Sequence, residues 1–161
     1  MSVTPIKTDN DLASNVRAKV VPILQTAQAS ALDLMGQCKQ AHWNVKGPNF
    51  IALHEFFDKL HDTVEVMMDD LAERVVALGG MAEGRLDQAA KASTLPAYTA
   101  KTSEEDHLKA LVQAFSSFAQ QTRAAIDQTG EFGDQATADL FTSITRELDK
   151  QLWMIESHLK H

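Results

Sequence analysis

The sequence predicts an all-α protein built as a four-helix bundle, and three observations support this fold class. Only seven glycines and four prolines interrupt the 161 residues. The segments between them are rich in Ala, Leu, Gln, Glu and Lys, and their apolar residues recur at spacings of three and four. The length suits one domain with one hydrophobic core. We therefore expect long helices packed around a single core.

The first helix is expected to begin between residues 14 and 22 and to run to residue 46. Pro22 sets this range, because proline lacks a backbone N–H and is tolerated only near a helix start. Residues 1–13 are predicted to form a short N-terminal tail, and residues 14–161 the folded domain. The single cysteine, Cys38, lies on the inner side of this helix and is expected to be a small apolar core residue.

A glycine-proline turn follows and predicts a tight antiparallel hairpin. Gly47 and Pro48 end the first helix, and the side chain of Asn49 is expected to cap the second. The second helix is predicted over residues 50–78, where a pair of glycines ends it.

A long polar connection and a second hairpin complete the chain. Residues 81–102 are predicted to form a crossover with one short helix at residues 86–91. A third helix is expected to start at Ser103, with Asp106 reaching back to it, and to end at residue 130. The last helix is predicted over residues 134–159. Two hairpins joined by one long crossover are typical of a ferritin-like bundle rather than a simple up-and-down bundle.

Composition and charge exclude several classes of protein. The formal net charge of -7 at pH 7 repels nucleic-acid phosphates on average and attracts cations. The chain has no run of about 18 apolar residues, and its first eleven residues lack the pattern of a signal peptide. We expect a cytoplasmic protein without a membrane partner, associated with the nucleoid only if it binds DNA.

Four potential metal ligands share one face of the second helix. At roughly 100° per residue, His54, Asp58, Asp69 and Glu73 lie at about 0°, 40°, 60° and 100° around the axis. Imidazole with carboxylates is a ligand set for iron, zinc or manganese. Each residue alone is more often a solvated or hydrogen-bonded side chain. The set at consistent spacing indicates a metal site.

The two halves of this set are too far apart to meet within one chain. Asp58 and Asp69 are eleven residues apart, which is about 16 Å of helix, whereas metal–ligand bonds are about 2 Å long. A two-fold axis crossing the helix near residues 63 and 64 would place residues 54–58 of one copy opposite residues 69–73 of its mate. Two equivalent sites per dimer are therefore predicted.

A further histidine on the first helix joins the set. His42 lies six residues before Pro48 and His54 six residues after it, so the two are level in an antiparallel hairpin. One chain is expected to contribute three ligands to each site and its mate two. These ligands are His42, His54 and Asp58 from one chain, with Asp69 and Glu73 from the other.

These residues resemble those of the Dps family, the mini-ferritins named for DNA protection during starvation. The resemblance rests on KQAHWNVKGPNF, LHEFFD, DDLAER and RELDKQLWMIESHL, and it covers nearly the whole chain after the first dozen residues. It implies a hollow dodecameric shell built from two-fold dimers, with ferroxidase centres at the dimer interfaces and ferric mineral stored inside. It also implies oxidation of Fe(II), preferably by hydrogen peroxide, and thereby protection of DNA from oxidative damage.

Trp43 adjoins the predicted site. The resemblance implies that its indole supplies or traps an electron during iron oxidation. The structural alternative is an amphipathic ring that packs at the end of a helix.

DNA is not favoured as a partner by the N-terminus. The best-known members of the family use a flexible lysine-rich arm, but the first eleven residues here contain only Lys7, together with two aspartates. A phosphate-binding arm needs several cations, because each contact releases one counterion. Arg17, Lys19 and Lys160 offer at most a modest basic patch.

Three other groups have competing explanations. Glu104 and His107 form a Glu-x-x-His, the pattern of a di-iron site within one bundle, but no second copy is present, and stabilisation by the helix dipole explains the acidic helix start. His158 and His161 fit a surface metal site or a frayed terminus. Four acidic residues near the last hairpin fit an iron-guiding pore or ordinary helix-end charge. They are Asp127, Glu131, Asp134 and Asp139.

Two rival functions are weighed against the ferroxidase. An architectural protein that compacts DNA, with ferroxidase activity secondary, would expose a basic surface and tolerate the loss of His54 or Asp58, and the acidic composition argues against it. A di-iron oxidase of the longer-ferritin or rubrerythrin type would need paired Glu-x-x-His motifs in one chain. These paired motifs are absent from the sequence.

Overall fold

A computed structural model describes residues 6–159 of the chain. Its helices are α1 (Ser14–Asn44), α2 (Phe50–Ala77), α3 (Leu86–Ala92), α4 (Glu104–Glu131) and α5 (Gln135–Glu156). This part of the chain contains no β-strand, and none of its helices is long and apolar enough to cross a membrane. The predicted all-α bundle, with a short helix in the crossover, is confirmed. Lys160, His161 and the first five residues of the tail lie outside the described residues.

The bundle consists of two helical hairpins that share one core. α1 packs against α2 and α4 against α5, while α3 lies against α1. The largest fully buried side chains are phenylalanines contributed by α2, α4 and α5, namely Phe57, Phe115, Phe118 and Phe141. Burying each contributes roughly 1.5–3 kcal/mol of transfer free energy. Cys38 is fully buried as expected, and burial raises the pKa of its thiol, so it remains an uncharged core residue.

α1 begins at the early end of its expected range and includes a proline in its interior. Pro22 lies eight residues after Ser14, although the sequence predicted that it would be tolerated only near the helix start. The missing N–H removes one helical hydrogen bond, at a cost of about 3 kcal/mol. The helix continues because Val20 and Leu24 on either side are fully buried. Tertiary packing therefore overrides the local preference.

One predicted helix cap is wrong and the other is confirmed. The side chain of Asn49 does not cap α2. Instead its backbone N–H and side-chain amide donate to the carboxylate of Glu104, at 2.6 and 3.0 Å. Ser103 caps α4 by accepting from the N–H of Asp106 at 3.1 Å, although the Asp106 side chain makes no return bond within residues 6–159. Asp134 caps α5 through the N–H of Thr137.

Glu104 thereby ties the first hairpin to the start of the second. A Cβ added at Gly47 would lie 2.5 Å from the Glu104 carboxyl group, so a larger residue there would displace this side chain from the turn. The backbone N–H of Lys46 also donates to the carbonyl of Thr102 at 2.9 Å. These contacts hold the turn that carries His42 and His54 on either side of it.

Candidate metal centre

The hairpin of α1 and α2 brings His42 and His54 into direct contact. Their rings stack with centroids 3.7 Å apart and planes inclined by 21°. The Nδ1 of His42 lies 2.7 Å from the carbonyl oxygen of His54, and the Nδ1 of His54 lies 2.8 Å from the carbonyl oxygen of His42. The two bonds are reciprocal and fix both rings to the backbone.

These bonds determine which ring nitrogen is available to a metal. A carbonyl oxygen only accepts hydrogen bonds, so each Nδ1 must carry the proton. In a neutral imidazole the lone pair is then on Nε2. Metal-binding histidines generally donate their other N–H to a carbonyl or carboxylate in this way, which orients the ring and raises its basicity. The donor chemistry of His42 and His54 therefore fits a metal ion.

Asp58 lies next to this pair and is held by a lysine that the sequence analysis did not identify. The Nζ of Lys39 donates to Oδ1 of Asp58, and the Nδ1 of His42 lies 4.0 Å from the same oxygen. The hydrogen bond from Lys39 holds the pKa of Asp58 below its ordinary value. Lys39 lies nine residues before Pro48 and Asp58 ten residues after it, so the argument that paired the histidines would also have found this lysine.

Asp69 and Glu73 lie farther along α2, and both side chains are exposed. Neither makes a side-chain hydrogen bond or an ion pair within residues 6–159. The neighbouring Arg74 is directed elsewhere, to Asp134 at 2.9 Å. A single chain does not bring these two carboxylates to Asp58, as the length of helix between them requires.

Trp43 occupies the end of α1 beside the histidine pair. Its side chain is 70% exposed in the single chain, so the ring is not packed into the bundle of its own subunit. The indole is accessible to a partner subunit or to a reacting species near the histidines.

A second group of metal-binding side chains lies between the two halves of the α2 face. His61, Asp62 and Glu65 offer ligand atoms that are all within 4.8 Å of one another. The sequence analysis missed this group, although the i,i+4 spacing of His61 and Glu65 was a usable signal. His61 already bonds the carboxylate of Asp62 at 3.1 Å, and the two acidic residues are exposed, so ordinary surface pairing explains the arrangement.

Three residues with competing explanations, Glu104, His107 and Asp134, each make a structural contact. Glu104 binds the turn at Asn49, and His107 is buried against Tyr98, so the two do not converge on one point. Asp134 is only 1% exposed and pairs with Arg74, which removes it from any pore lining.

His158, which was expected to belong to a surface metal site or a frayed terminus, is exposed beyond the end of α5 and stacks on an aromatic ring. Its ring centroid lies 5.0 Å from that of Phe56, and its Nδ1 lies 2.9 Å from the Met154 carbonyl oxygen. Its suggested partner His161 is among the residues that the structure does not describe.

Comparison with known proteins matches most of the chain to one family. Residues 22–161 match the family described as Ferritin-like domain. The chain is 45% identical over 155 residues to the DNA protection during starvation protein of Agrobacterium fabrum, with 96% of each chain covered.

Solved structures agree with the sequence comparison. DpsA14 from Streptomyces coelicolor superposes with a TM-score of 0.93 at 32% identity, covering 100% of this chain and 96% of that one. The Dps protein of Vibrio cholerae O1, described as a member of a broad superfamily of ferritin-like diiron-carboxylate proteins, superposes with a TM-score of 0.90 at 26% identity. That alignment covers 99% of this chain and the whole of the other.

Proposed function

The chain belongs to the Dps family of ferritin-like proteins, and we propose that it oxidises Fe(II), preferably with hydrogen peroxide, and stores the ferric product. The oxidation takes place at sites shared by two subunits, and the mineral collects inside a dodecameric shell built from such dimers. Residues 14–161 form the bundle domain of each subunit and residues 1–13 a short tail. Iron is the substrate and cargo, and zinc or manganese can compete for the same donors.

The reciprocal bonds between His42 and His54 are the observation that carries this proposal. Both imidazoles are fixed with Nδ1 protonated, so that both Nε2 atoms are free to bind a cation. With the carboxylate of Asp58 nearby, the three side chains form one half of a metal site.

Exposed apolar side chains on the same helix support the antiparallel pairing that completes the site. If His54 faces Glu73 of the mate, then by the same register Ile51 faces Val76 of the mate. These two side chains are 63% and 52% exposed in the single chain. Both lie at about 40–60° on the α2 face that carries the carboxylates. Pairing would cover them, as expected for an interface.

The donor set favours oxidation of the iron. Two ferrous ions give one electron each to hydrogen peroxide, the O–O bond breaks, and two protons complete two water molecules. Carboxylate oxygens are hard donors that suit the more highly charged ferric ion, so Asp58 and Asp69 with Glu73 promote electron loss. Trp43, exposed beside the histidines, takes up stray oxidising equivalents. Consuming iron and peroxide together removes both sources of hydroxyl radical.

We infer that protection of DNA follows from this chemistry and not from tight DNA binding. The relative from Agrobacterium fabrum is named for DNA protection, but the chain here is acidic and its first eleven residues carry one lysine. Saturable retardation of DNA at low salt in a gel-shift assay would contradict this part of the proposal. We place the protein in the cytoplasm, where iron and peroxide meet DNA.

The test is a stopped-flow measurement of ferric absorbance after anaerobic loading with Fe(II). We expect a fast phase with hydrogen peroxide, slow oxidation with air, and loss of the fast phase in a His54→Ala/Asp58→Ala variant. Asp70→Ala is the matched control, because Asp70 is an exposed carboxylate on α2 outside the ligand face. Equal rates in all three proteins would overturn the assignment of the site.

A further inference from the structure

A partly buried tyrosine and a fully buried histidine form a pair that the ligand set does not use. Tyr98, on the crossover, is the only tyrosine in the chain. Its hydroxyl group is hydrogen-bonded to Nδ1 of His107 on α4. His107 is completely buried, and its Nε2 has no well-formed hydrogen bond among the residues that the structure describes.

The protonation states of the pair are suited to proton transfer. Burial raises the pKa of the Tyr98 phenol, so the hydroxyl keeps its proton. Burial lowers the pKa of His107, although the Asn44 carbonyl and Asp106 partly oppose the shift, so the imidazole is neutral. The phenol therefore donates its O–H to an unprotonated Nδ1. A phenol that loses an electron becomes a strong acid, and a base is already in place to accept its proton.

The pair contacts both helices that carry the proposed iron ligands. The ring of His107 lies 6.4 Å, centroid to centroid, from that of Phe57, which precedes Asp58 on α2. On the α1 side, the backbone of Asn44, two residues after His42, opposes the lowering of the His107 pKa, and Tyr98 lines a groove with Gln37 of α1. The pair therefore lies against the segments of α1 and α2 that carry the proposed ligands.

We propose that Tyr98 is a one-electron donor to the oxidant formed at the iron site, with His107 accepting the phenolic proton. This inference rests on the proposed ferroxidase function. Tyr98 donates its electron when a site holds a single ferrous ion, because hydrogen peroxide then needs a second electron.

The reaction balances with the groups present. One electron comes from Fe(II) and one from Tyr98, the O–O bond of hydrogen peroxide breaks, and two solvent protons complete two waters. The phenolic O–H bond breaks and its proton moves to Nδ1 of His107, leaving a ferric ion, a phenoxyl radical and an imidazolium. Tyr98 also lines an open groove with Gln37 and Ala100, so a small thiol or ascorbate can approach and reduce the radical. The pair thereby prevents a partly reduced oxidant from leaving the site.

Isotope labelling tests this without altering the protein. Wild-type protein made with ring-deuterated tyrosine, and separately with ring-deuterated tryptophan, is loaded with one Fe(II) per site and mixed with peroxide. Samples frozen within milliseconds are examined by electron paramagnetic resonance while ferric absorbance is followed in parallel. Because the chain has one tyrosine, narrowing of the radical signal by deuterated tyrosine assigns it to Tyr98. We expect this result, together with complete loss of that signal in Tyr98→Phe.

His107→Gln tests the role of the base. Glutamine keeps a hydrogen-bond acceptor but is not basic, so the tyrosyl radical should form roughly a hundredfold more slowly, while ferric absorbance with two Fe(II) per site is unchanged. A fast ferric phase with a radical that responds only to deuterated tryptophan, or an unaltered tyrosyl rate in His107→Gln, would overturn the inference alone. Absence of the fast ferric phase in wild-type protein would overturn both the proposed function and this inference.

Discussion

The two ends of the ligand face on α2 differ in how far one chain completes them. At the N-terminal end, His54 and Asp58 are partly buried and bonded to His42 and Lys39 of the neighbouring helix. At the C-terminal end, Asp69 and Glu73 are exposed and have no side-chain partner within residues 6–159. The first half-site is organised by the fold of its own chain, whereas the second is not.

This difference indicates what each half-site contributes to the proposed dimer. The preorganised half, with His42, His54 and Asp58, holds imidazoles in the orientation that a metal requires, and it depends on the α1–α2 turn. The open half, with Asp69 and Glu73, supplies carboxylates that become ordered only when a cation and a second chain are present. Assembly would therefore create the complete site, and an isolated chain would bind iron weakly.

The largest expected effect comes from removing the open half. An Asp69→Ala/Glu73→Ala variant should lose the fast ferric phase as fully as one lacking the preorganised half, by at least about a hundredfold, because metal chemistry needs a complete ligand set. Stopped-flow ferric absorbance at matched Fe(II) and peroxide checks this. A variant of the open half that retains the wild-type rate would show that the preorganised half works alone.

Substitutions in the two halves should differ in their effect on the free energy of unfolding, even though both abolish activity. His54→Ala removes a partly buried ring that stacks on His42 and bonds its carbonyl, and should lower the free energy of unfolding by about 1–3 kcal/mol. Glu73→Ala removes an exposed side chain and should change it by less than about 0.5 kcal/mol. Urea unfolding at equal protein concentration measures both values. Equal losses would mean that the open half is already organised in the folded subunit.

A smaller effect is expected from the lysine that occupies the preorganised half. Lys39→Met removes the ammonium bound to Asp58, so Co(II) or Zn(II) should bind roughly three- to tenfold more tightly. Lys59→Met is the matched control, because Lys59 is an exposed lysine on α2 without a contact to the ligands. Isothermal titration calorimetry checks this. If both variants gain affinity equally, net charge and not the Lys39 contact is responsible.

The smallest expected effect is on the pH dependence of metal binding. Lys39 lowers the pKa of Asp58 in the folded state, so this pairing stabilises the fold above the ordinary carboxyl range and is lost as the pH falls through the lowered pKa. Lys39→Met should raise that pKa and shift the acid limb of the Co(II)-binding profile to higher pH. Binding isotherms in a series of acidic buffers measure the limb. A shift to lower pH would contradict the sign.

The parts of the site that follow from regular geometry were predictable from the sequence. The turn at Pro48 and the regular helical rise made His42 and His54 level, and the structure places them in contact. The helical period likewise put His54, Asp58 and two further carboxylates on one face. Local spacing alone was enough for both conclusions.

Features that depend on packing between hairpins were not predictable. Asn49 was expected to cap α2, but it is bound by Glu104, which lies 55 residues farther along the chain. Pro22 remains inside α1 because its neighbours are buried in the core. Asp134 suited a pore by its charge, yet it is buried against Arg74. Each outcome depends on a tertiary contact that local spacing does not encode.

Subunit complementation is the most direct test of a site shared between chains. One copy lacks His54 and Asp58, the other lacks Asp69 and Glu73, and each alone is inactive. A mixed dimer keeps one intact site, so random co-assembly of equal amounts should restore about one quarter of the wild-type fast phase. Recovery near that level would support the two-fold arrangement. Complete inactivity of co-assembled mixed shells, verified by mass spectrometry, would contradict it.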